Sequence, residues 1–140
     1  MNPAVKNVLA VIIGIMVGWI VNMFIVMMSG QIVPMPEGVN PNDLESLKAS
    51  AHLFKPIHYL MPFLAHALGT LVGAFMAAKV AAKNPARIGL IVGVFFLLGG
   101  ILAATMIPAP IWFIIADLVL AYIPMSMLGA RLAGNRTVAQ

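Results

Sequence analysis

Four runs of apolar residues, each about 20 residues long, divide this sequence. The runs cover residues 8–28, 57–78, 88–107 and 111–130. An α-helix of about 20 residues is about 30 Å long, which matches the hydrocarbon core of a bilayer. Strands of a membrane barrel alternate polar and apolar residues, and a run such as IGLIVGVFFLLGGILA does not alternate. We therefore predict an all-α integral membrane protein with four transmembrane helices.

The composition and the connections indicate how these helices are arranged. Of 140 residues, only 9% are charged, whereas a soluble domain has about 25% charged residues. Pro108-Ala109-Pro110 leaves room only for a tight turn between the third and fourth helices, and Asn84-Pro85 predicts a cap and first residue for the third. We expect a single domain over residues 1–140, with the helices in an antiparallel bundle.

The basic residues predict the orientation of the chain. Six of them fall at one end of the predicted bundle: Lys6, Lys79, Lys83, Arg87, Arg131 and Arg136. The other end holds Lys48 and Lys55 together with three acids. The positive-inside rule then places both termini in the cytoplasm, in a multi-pass protein of the inner (cytoplasmic) membrane. Because the net charge of +4 lies in short loops, we expect no nucleic-acid partner.

The loop of residues 29–55 is the longest segment outside the predicted spans. Asn40-Pro41 indicates the cap and first residue of a helix, and apolar residues follow at helical spacing: Leu44, Leu47, Ala51 and Phe54. This pattern predicts a short amphipathic helix on the outer membrane surface. The helix either fills the interface or covers an entrance.

Glycines recur at four-residue and seven-residue steps in the first three spans: Gly14, Gly18, Gly69, Gly73, Gly89, Gly93 and Gly100. Apolar side chains gain little by leaving lipid, so membrane helices associate through small residues that allow close approach. We predict that these glycines pack helices together. Since four helices bury few positions in a monomer, we also expect a homo-oligomer or a larger membrane-protein partner, in addition to the lipid bilayer.

Polar side chains at depth within the predicted spans form the candidate site. Asp117 lies in the last span, and a carboxylate there costs about 3 kcal/mol unless it is paired, protonated or hydrated. His66 lies near the midplane, Asn22 at a depth similar to that of Asp117, and His58 two turns above His66. We predict that these four side chains converge. They either fix helix packing or line a cavity in which Asp117 and His66 exchange a proton or hold a cation.

Other residues within the spans were interpreted structurally. Pro62 and Pro124 each remove a backbone hydrogen bond and predict kinks. Hydroxyl side chains in helices commonly bond to their own backbone, which is the expectation for three of them: Thr70, Thr105 and Ser126. Trp19 and Tyr122 are expected to pack between helices.

Several chemistries have no support in the sequence. There is no cysteine, the histidines lack the one-turn spacing of a helical metal site, and no nucleophile or phosphate-loop motif occurs. We expect no metal, no cofactor and no enzymatic activity. Two functions stay open: a non-catalytic helix-packing subunit or scaffold, or a homo-oligomeric transporter or channel for a small solute or ion that uses an intramembrane Asp/His pair.

Overall fold

A computed structural model describes residues 1–134 of the chain. The helices are α1 (Pro3–Ile32), α2 (Leu44–Ala49), α3 (Leu60–Val80), α4 (Pro85–Met106), α5 (Ile111–Leu120) and α6 (Ile123–Leu132). Two short 3-10 turns, Ala51–Leu53 and Pro56–Tyr59, lead into α3. No strand occurs in the described residues, so the prediction of an all-α fold is confirmed. Arg136 lies outside the described residues.

Four helical segments are long and apolar enough to cross a membrane: Pro3–Ile32, Pro56–Val80, Pro85–Met106 and Ile111–Leu132. The first is longer than the predicted run of residues 8–28 at both ends. Asn2 caps it, accepting a hydrogen bond from the Ala4 amide at 2.9 Å, with Pro3 as the first helical residue. Ser29 is still helical, and its hydroxyl donates to the Val26 carbonyl at 2.6 Å. The following loop therefore begins at Val33 and not at residue 29.

The fourth segment is broken in two between α5 and α6. Pro124 is the second residue of α6 and has no amide hydrogen to donate to the preceding turn. The backbone departs from ideal helical values at Tyr122, with φ −114° and ψ −75°. Pro62 behaves differently: it lies in the first turn of α3, where amides have no intrahelical partner. Pro62 therefore removes no hydrogen bond within α3, whereas Pro124 follows the interruption between α5 and α6.

Helix α3 lies at the centre of the fold and packs against α1, α4 and α6. The backbones of α1 and α3 touch, because glycines of the two helices face each other. A methyl group added at Gly73 would lie 2.6 Å from the Gly14 carbonyl oxygen, and one added at Gly18 would lie 2.6 Å from the Gly69 carbonyl oxygen. No side chain larger than hydrogen fits at these crossings.

The glycines of α4 accommodate α6 and the break before it. A methyl group at Gly89 would lie 2.8 Å from Ala130 Cβ, one at Gly93 would clash with the Ser126 side chain, and one at Gly100 would lie 2.6 Å from Tyr122 Cζ. All seven glycines predicted to pack helices thus face another helical segment of this same chain.

The loop helix α2 begins later than the sequence indicated. Asp43 is its cap, accepting from the Glu45 amide at 3.1 Å, while Asn40 closes a turn by accepting from the Asn42 amide at 3.0 Å. The predicted start at Asn40-Pro41 is therefore wrong, because the Asn40 side chain bonds within this turn. Leu44 and Leu47 of α2 face the end of α4.

The connection between α3 and α4 is held by a residue of α1. Asn7 Oδ1 accepts from the Ala82 amide at 2.8 Å and the Lys83 amide at 3.3 Å, and Asn7 Nδ2 donates to the Lys83 carbonyl at 3.2 Å. Pro85 begins α4 as predicted, but Asn84 makes no side-chain cap and instead adopts a left-handed conformation with φ 52°. The loop therefore turns at Asn84 and is bound by Asn7.

Candidate functional site

A histidine and an aspartate from two apolar helices meet in the interior. Asp117 is on α5 and His66 on α3; His66 Nδ1 lies 2.9 Å from Asp117 Oδ1 and 3.0 Å from Oδ2. The aspartate side chain is only 6% exposed and the histidine side chain 27%. An ionised carboxylate only accepts hydrogen bonds, so with Asp117 in that form Nδ1 carries the hydrogen in this contact. Nε2 is then the remaining polar atom of the ring.

Tyr122 completes this group, which we call the His66–Asp117–Tyr122 cluster. Its hydroxyl donates to Asp117 Oδ2 at 3.0 Å, and its ring stacks on His66 with 5.7 Å between centroids. The break between α5 and α6 lets a residue five positions after Asp117 reach back to it. Gly100 of α4 leaves the space that the Tyr122 ring occupies.

Tyr122 is the polar partner that sequence reasoning missed. It was expected to pack between helices, and at 2% exposure it does. A tyrosine beside a helix break and five residues after a buried acid is a signal for a hydrogen bond between the two. Which acceptor the tyrosine hydroxyl reaches, however, depends on the geometry of the break.

A cavity of about 100 Å³ adjoins the cluster. Six of its lining residues supply its polar and aromatic character: Trp19, Asn22, His66, Thr70, Phe96 and Tyr122. Two of these residues have a buried oxygen that finds no hydrogen-bond partner among residues 1–134: Asn22 Oδ1 and Thr70 Oγ1. A buried polar atom without a partner costs about 1–3 kcal/mol. A bound group or water that made a hydrogen bond to either oxygen would therefore be stabilising.

Thr70 departs from the expectation for hydroxyls in helices. Thr105 Oγ1 donates to the Leu102 carbonyl at 2.6 Å and Ser126 Oγ to the Ile123 carbonyl at 2.8 Å, as predicted. Thr70 is 1% exposed and has no such bond. Thr70 is therefore a cavity-lining residue whose hydroxyl is an unused polar group.

The structure brings three of the four predicted site residues together. Asn22 on α1 lines the same cavity as His66, and His66 contacts Asp117. His58 lies elsewhere: it is in the 3-10 turn before α3, and its Nδ1 accepts from the Lys55 amide at 2.8 Å. The reason is that this turn, and not a continuous helix, precedes Leu60. Trp19, expected between helices, is 58% exposed at the edge of the cavity.

A second, larger cavity adjoins the first. It encloses about 400 Å³ between α2 and the end of α4, with Leu44 and Leu47 on one side and Leu102 on the other. Gly99 and Ala103 line both cavities. An added Cβ at Gly99 would have no neighbour within 4 Å, so the space beside this shared residue is open.

This arrangement can perform two kinds of chemistry. An imidazole whose Nδ1 is bound by a carboxylate has Nε2 as the ring nitrogen at which a proton can be exchanged. The unpartnered Asn22 and Thr70 oxygens can bind a small polar group next to that ring. Among residues 1–134, no three histidine or acidic side chains are grouped so as to hold a metal ion.

Comparison of the chain with protein-family models, with curated proteins and with solved structures found no match.

Proposed function

We propose that this chain is an integral membrane protein that moves a small polar solute or ion across the bilayer, with His66 and Asp117 as its proton-exchanging pair. The observation that carries this proposal is the cavity beside the pair. It brings a titratable ring together with two buried, unpartnered oxygens, in the middle of helices that are otherwise apolar. A purely structural pair would be expected to leave no such open hydrogen-bonding capacity.

Exposed apolar side chains support insertion in a membrane. On α1, Met16 is 58% exposed, Ile20 59% and Phe24 64%, and soluble monomers rarely show continuous apolar surfaces of this extent. In a bilayer these side chains would face lipid tails. The antiparallel bundle belongs to the same proposal, because each long helix would then cross the hydrocarbon once.

The contacts of Asn7 support the proposed orientation. They join the first turns of α1 to the connection between α3 and α4. Lys6 and Lys83, on these two segments, therefore share one end of the molecule. That is the end at which the positive-inside rule places basic residues, and on this basis both termini face the cytoplasm of an inner membrane.

In this mechanism the second cavity is the outer mouth of the path and the first is the binding site. A solute passes beneath α2, crosses at Gly99 and Ala103, and reaches Asn22 and Thr70. Asp117 holds the His66 ring by its Nδ1, so that proton exchange takes place at Nε2. Tyr122 donates to the other side of the carboxylate and holds it in place.

A scaffold function is the competing proposal. Its main support in the sequence is the set of glycine seams, some of which could serve a second copy or a larger partner. All seven glycines face helical segments within the chain. A second copy or a larger partner would therefore have to dock on exposed apolar side chains such as those of α1, which lipid can cover equally well.

Transport by purified protein in proteoliposomes tests the proposal. Four probes are offered in turn, methylammonium, sodium, acetate and glycerol, while a trapped pH dye and vesicle swelling report movement. We expect at least one probe to enter faster than in empty vesicles, and Asp117→Asn to reduce that rate to the empty-vesicle level while the protein stays folded.

The matched control is Glu45→Gln, because that carboxylate is 82% exposed on α2 and pairs only with Lys48. It should transport like the wild type. Flux that is unchanged in Asp117→Asn, or no flux for any of the four probes, would refute the proposal.

A further inference from the structure

We propose that the cavity beside the His66–Asp117–Tyr122 cluster binds a small primary ammonium cation, of the size of ammonium or methylammonium. This inference deepens the proposed function and rests on it for the statement that the cation is the transported solute. The evidence for the binding site itself is the chemistry of the residues that line the cavity.

The charge around the cavity favours a cation. Asp117 lies directly behind His66, and within residues 1–134 no lysine or arginine lines the cavity. An anion would meet a carboxylate with no fixed positive charge to offset it. Trp19, Phe96 and Tyr122 contribute aromatic rings to the wall, and aromatic rings attract cations placed over their faces.

The unpartnered atoms favour a ligand that donates hydrogen bonds. Asn22 Oδ1 is an acceptor, and Thr70 Oγ1 both accepts and donates. When His66 is neutral with its hydrogen on Nδ1, Nε2 is an acceptor as well. Thr70 is 1% exposed, so solvent outside the cavity does not serve its hydroxyl. An ammonium group has three or four N–H donors, enough for these three acceptors.

The size of the cavity limits the ligand. Its volume is about 100 Å³, whereas one water molecule occupies about 30 Å³ in the liquid. Ammonium and methylammonium fit within this volume together with a water. Tetramethylammonium has the same charge, but it is larger and has no N–H to donate, which makes it the informative comparison.

The protein contains a natural reporter for this site. It has two tryptophans; Trp19 lines the cavity, while Trp112 packs on Tyr59 with 5.7 Å between ring centroids. In a Trp112→Phe background the fluorescence of purified protein in detergent comes from Trp19 alone. Methylammonium chloride is titrated at constant ionic strength against sodium chloride, tetramethylammonium chloride and sodium acetate. We expect a saturable change with methylammonium only.

Two hydroxyl variants in the same background locate the binding. Thr70→Val removes the unpartnered hydroxyl with almost no change of shape, and should weaken methylammonium binding about tenfold because a hydrogen bond to a charged group is lost. Thr105→Val is the matched control, since that hydroxyl bonds only within its own helix, and its dissociation constant should stay within about twofold of the parent. Asn22→Leu should weaken binding at least as much as Thr70→Val.

The inference is overturned if methylammonium gives no saturable change, if tetramethylammonium gives an equal one, or if Thr70→Val and Thr105→Val bind alike. A cavity filled by water alone would give the first of these results. The failure of this inference is distinguishable from failure of the proposed function. If another probe shows flux that depends on Asp117 while methylammonium does not bind, only the ammonium site is refuted. If methylammonium binds but no probe shows flux, only transport is refuted.

Discussion

Removal of one oxygen atom by Tyr122→Phe tests whether the cluster contains an ionised carboxylate. The Tyr122 side chain is buried, and its hydroxyl donates to Asp117 Oδ2 at 3.0 Å. The substitution keeps the ring that stacks on His66 and fills the space beside Gly100. Any loss of stability therefore reports the hydrogen bond and not the packing.

The size of the expected loss follows from the contacts of the acceptor. Hydrogen bonds to charged groups contribute about 1.5–3 kcal/mol, whereas side-chain hydrogen bonds measured between helices of a membrane protein average about 0.6 kcal/mol. Oδ2 also lies 3.0 Å from His66 Nδ1, so the variant does not leave it without a partner. We expect a loss at the lower end of the charged range, about 1.5 kcal/mol, or about tenfold in the unfolding equilibrium constant.

The assay is equilibrium unfolding by sodium dodecyl sulfate in mixed micelles, followed by circular dichroism. Tyr59→Phe is the control. Tyr59 lies at the start of α3 and packs its ring on Phe113 with 4.9 Å between centroids, so this substitution also keeps a packed ring and removes only a hydroxyl. In an Asp117→Leu background, Tyr122→Phe should cost almost nothing, since the acceptor is gone. A loss below about 0.6 kcal/mol, or an equal loss in Tyr59→Phe, would refute a charge-assisted hydrogen bond at this site.

Two further predictions concern the frame that holds the site. Gly73→Ala should lower the free energy of unfolding by about 1–3 kcal/mol, because its methyl group would press on the Gly14 carbonyl; Gly30→Ala, which has no neighbour within 4 Å, should be neutral or stabilising in the same unfolding assay. Asn7→Leu should release the connection between α3 and α4, seen as faster hydrogen exchange at the Ala82 amide and faster tryptic cleavage after Lys83. Equal stability of both glycine variants, or unchanged exchange in Asn7→Leu, would contradict these expectations.

Hydropathy alone was sufficient to predict the four long helices. A run of apolar residues is a property of the sequence that does not depend on which neighbours the helix finds, so the class of fold could be predicted. The ends of the helices were less predictable. Ser29 and Gly30 indicate a turn by composition, yet α1 continues through them to Ile32, with the Ser29 hydroxyl bonded within the helix. Asn40 has a capping side chain, but Asp43 performs that role.

The candidate site was predictable in part, and for a physical reason. A carboxylate in an apolar helix needs a partner, and the sequence places His66 and Asn22 in the same half of the predicted spans as Asp117, so their approach could be expected. Thr70 could not be singled out, because whether a helical hydroxyl bonds to its own backbone depends on its rotamer and its neighbours. Tyr122 could not be assigned to Asp117 either, since the sequence shows that Pro124 disturbs the helix but not in which direction the chain turns.

The sequence by itself therefore determined that the chain is helical, where its apolar segments lie, and that its few interior polar groups require partners. The tertiary structure decided which partners they have. The small differences in packing that rotate one helix against another, such as the close approach of α1 to α3 at Gly73 and of Tyr122 to Gly100, select one set of contacts among many. Only these contacts bring Asn22 and Thr70 to one cavity beside His66. The number of residues between the two in the sequence does not indicate how the helices that bear them are rotated.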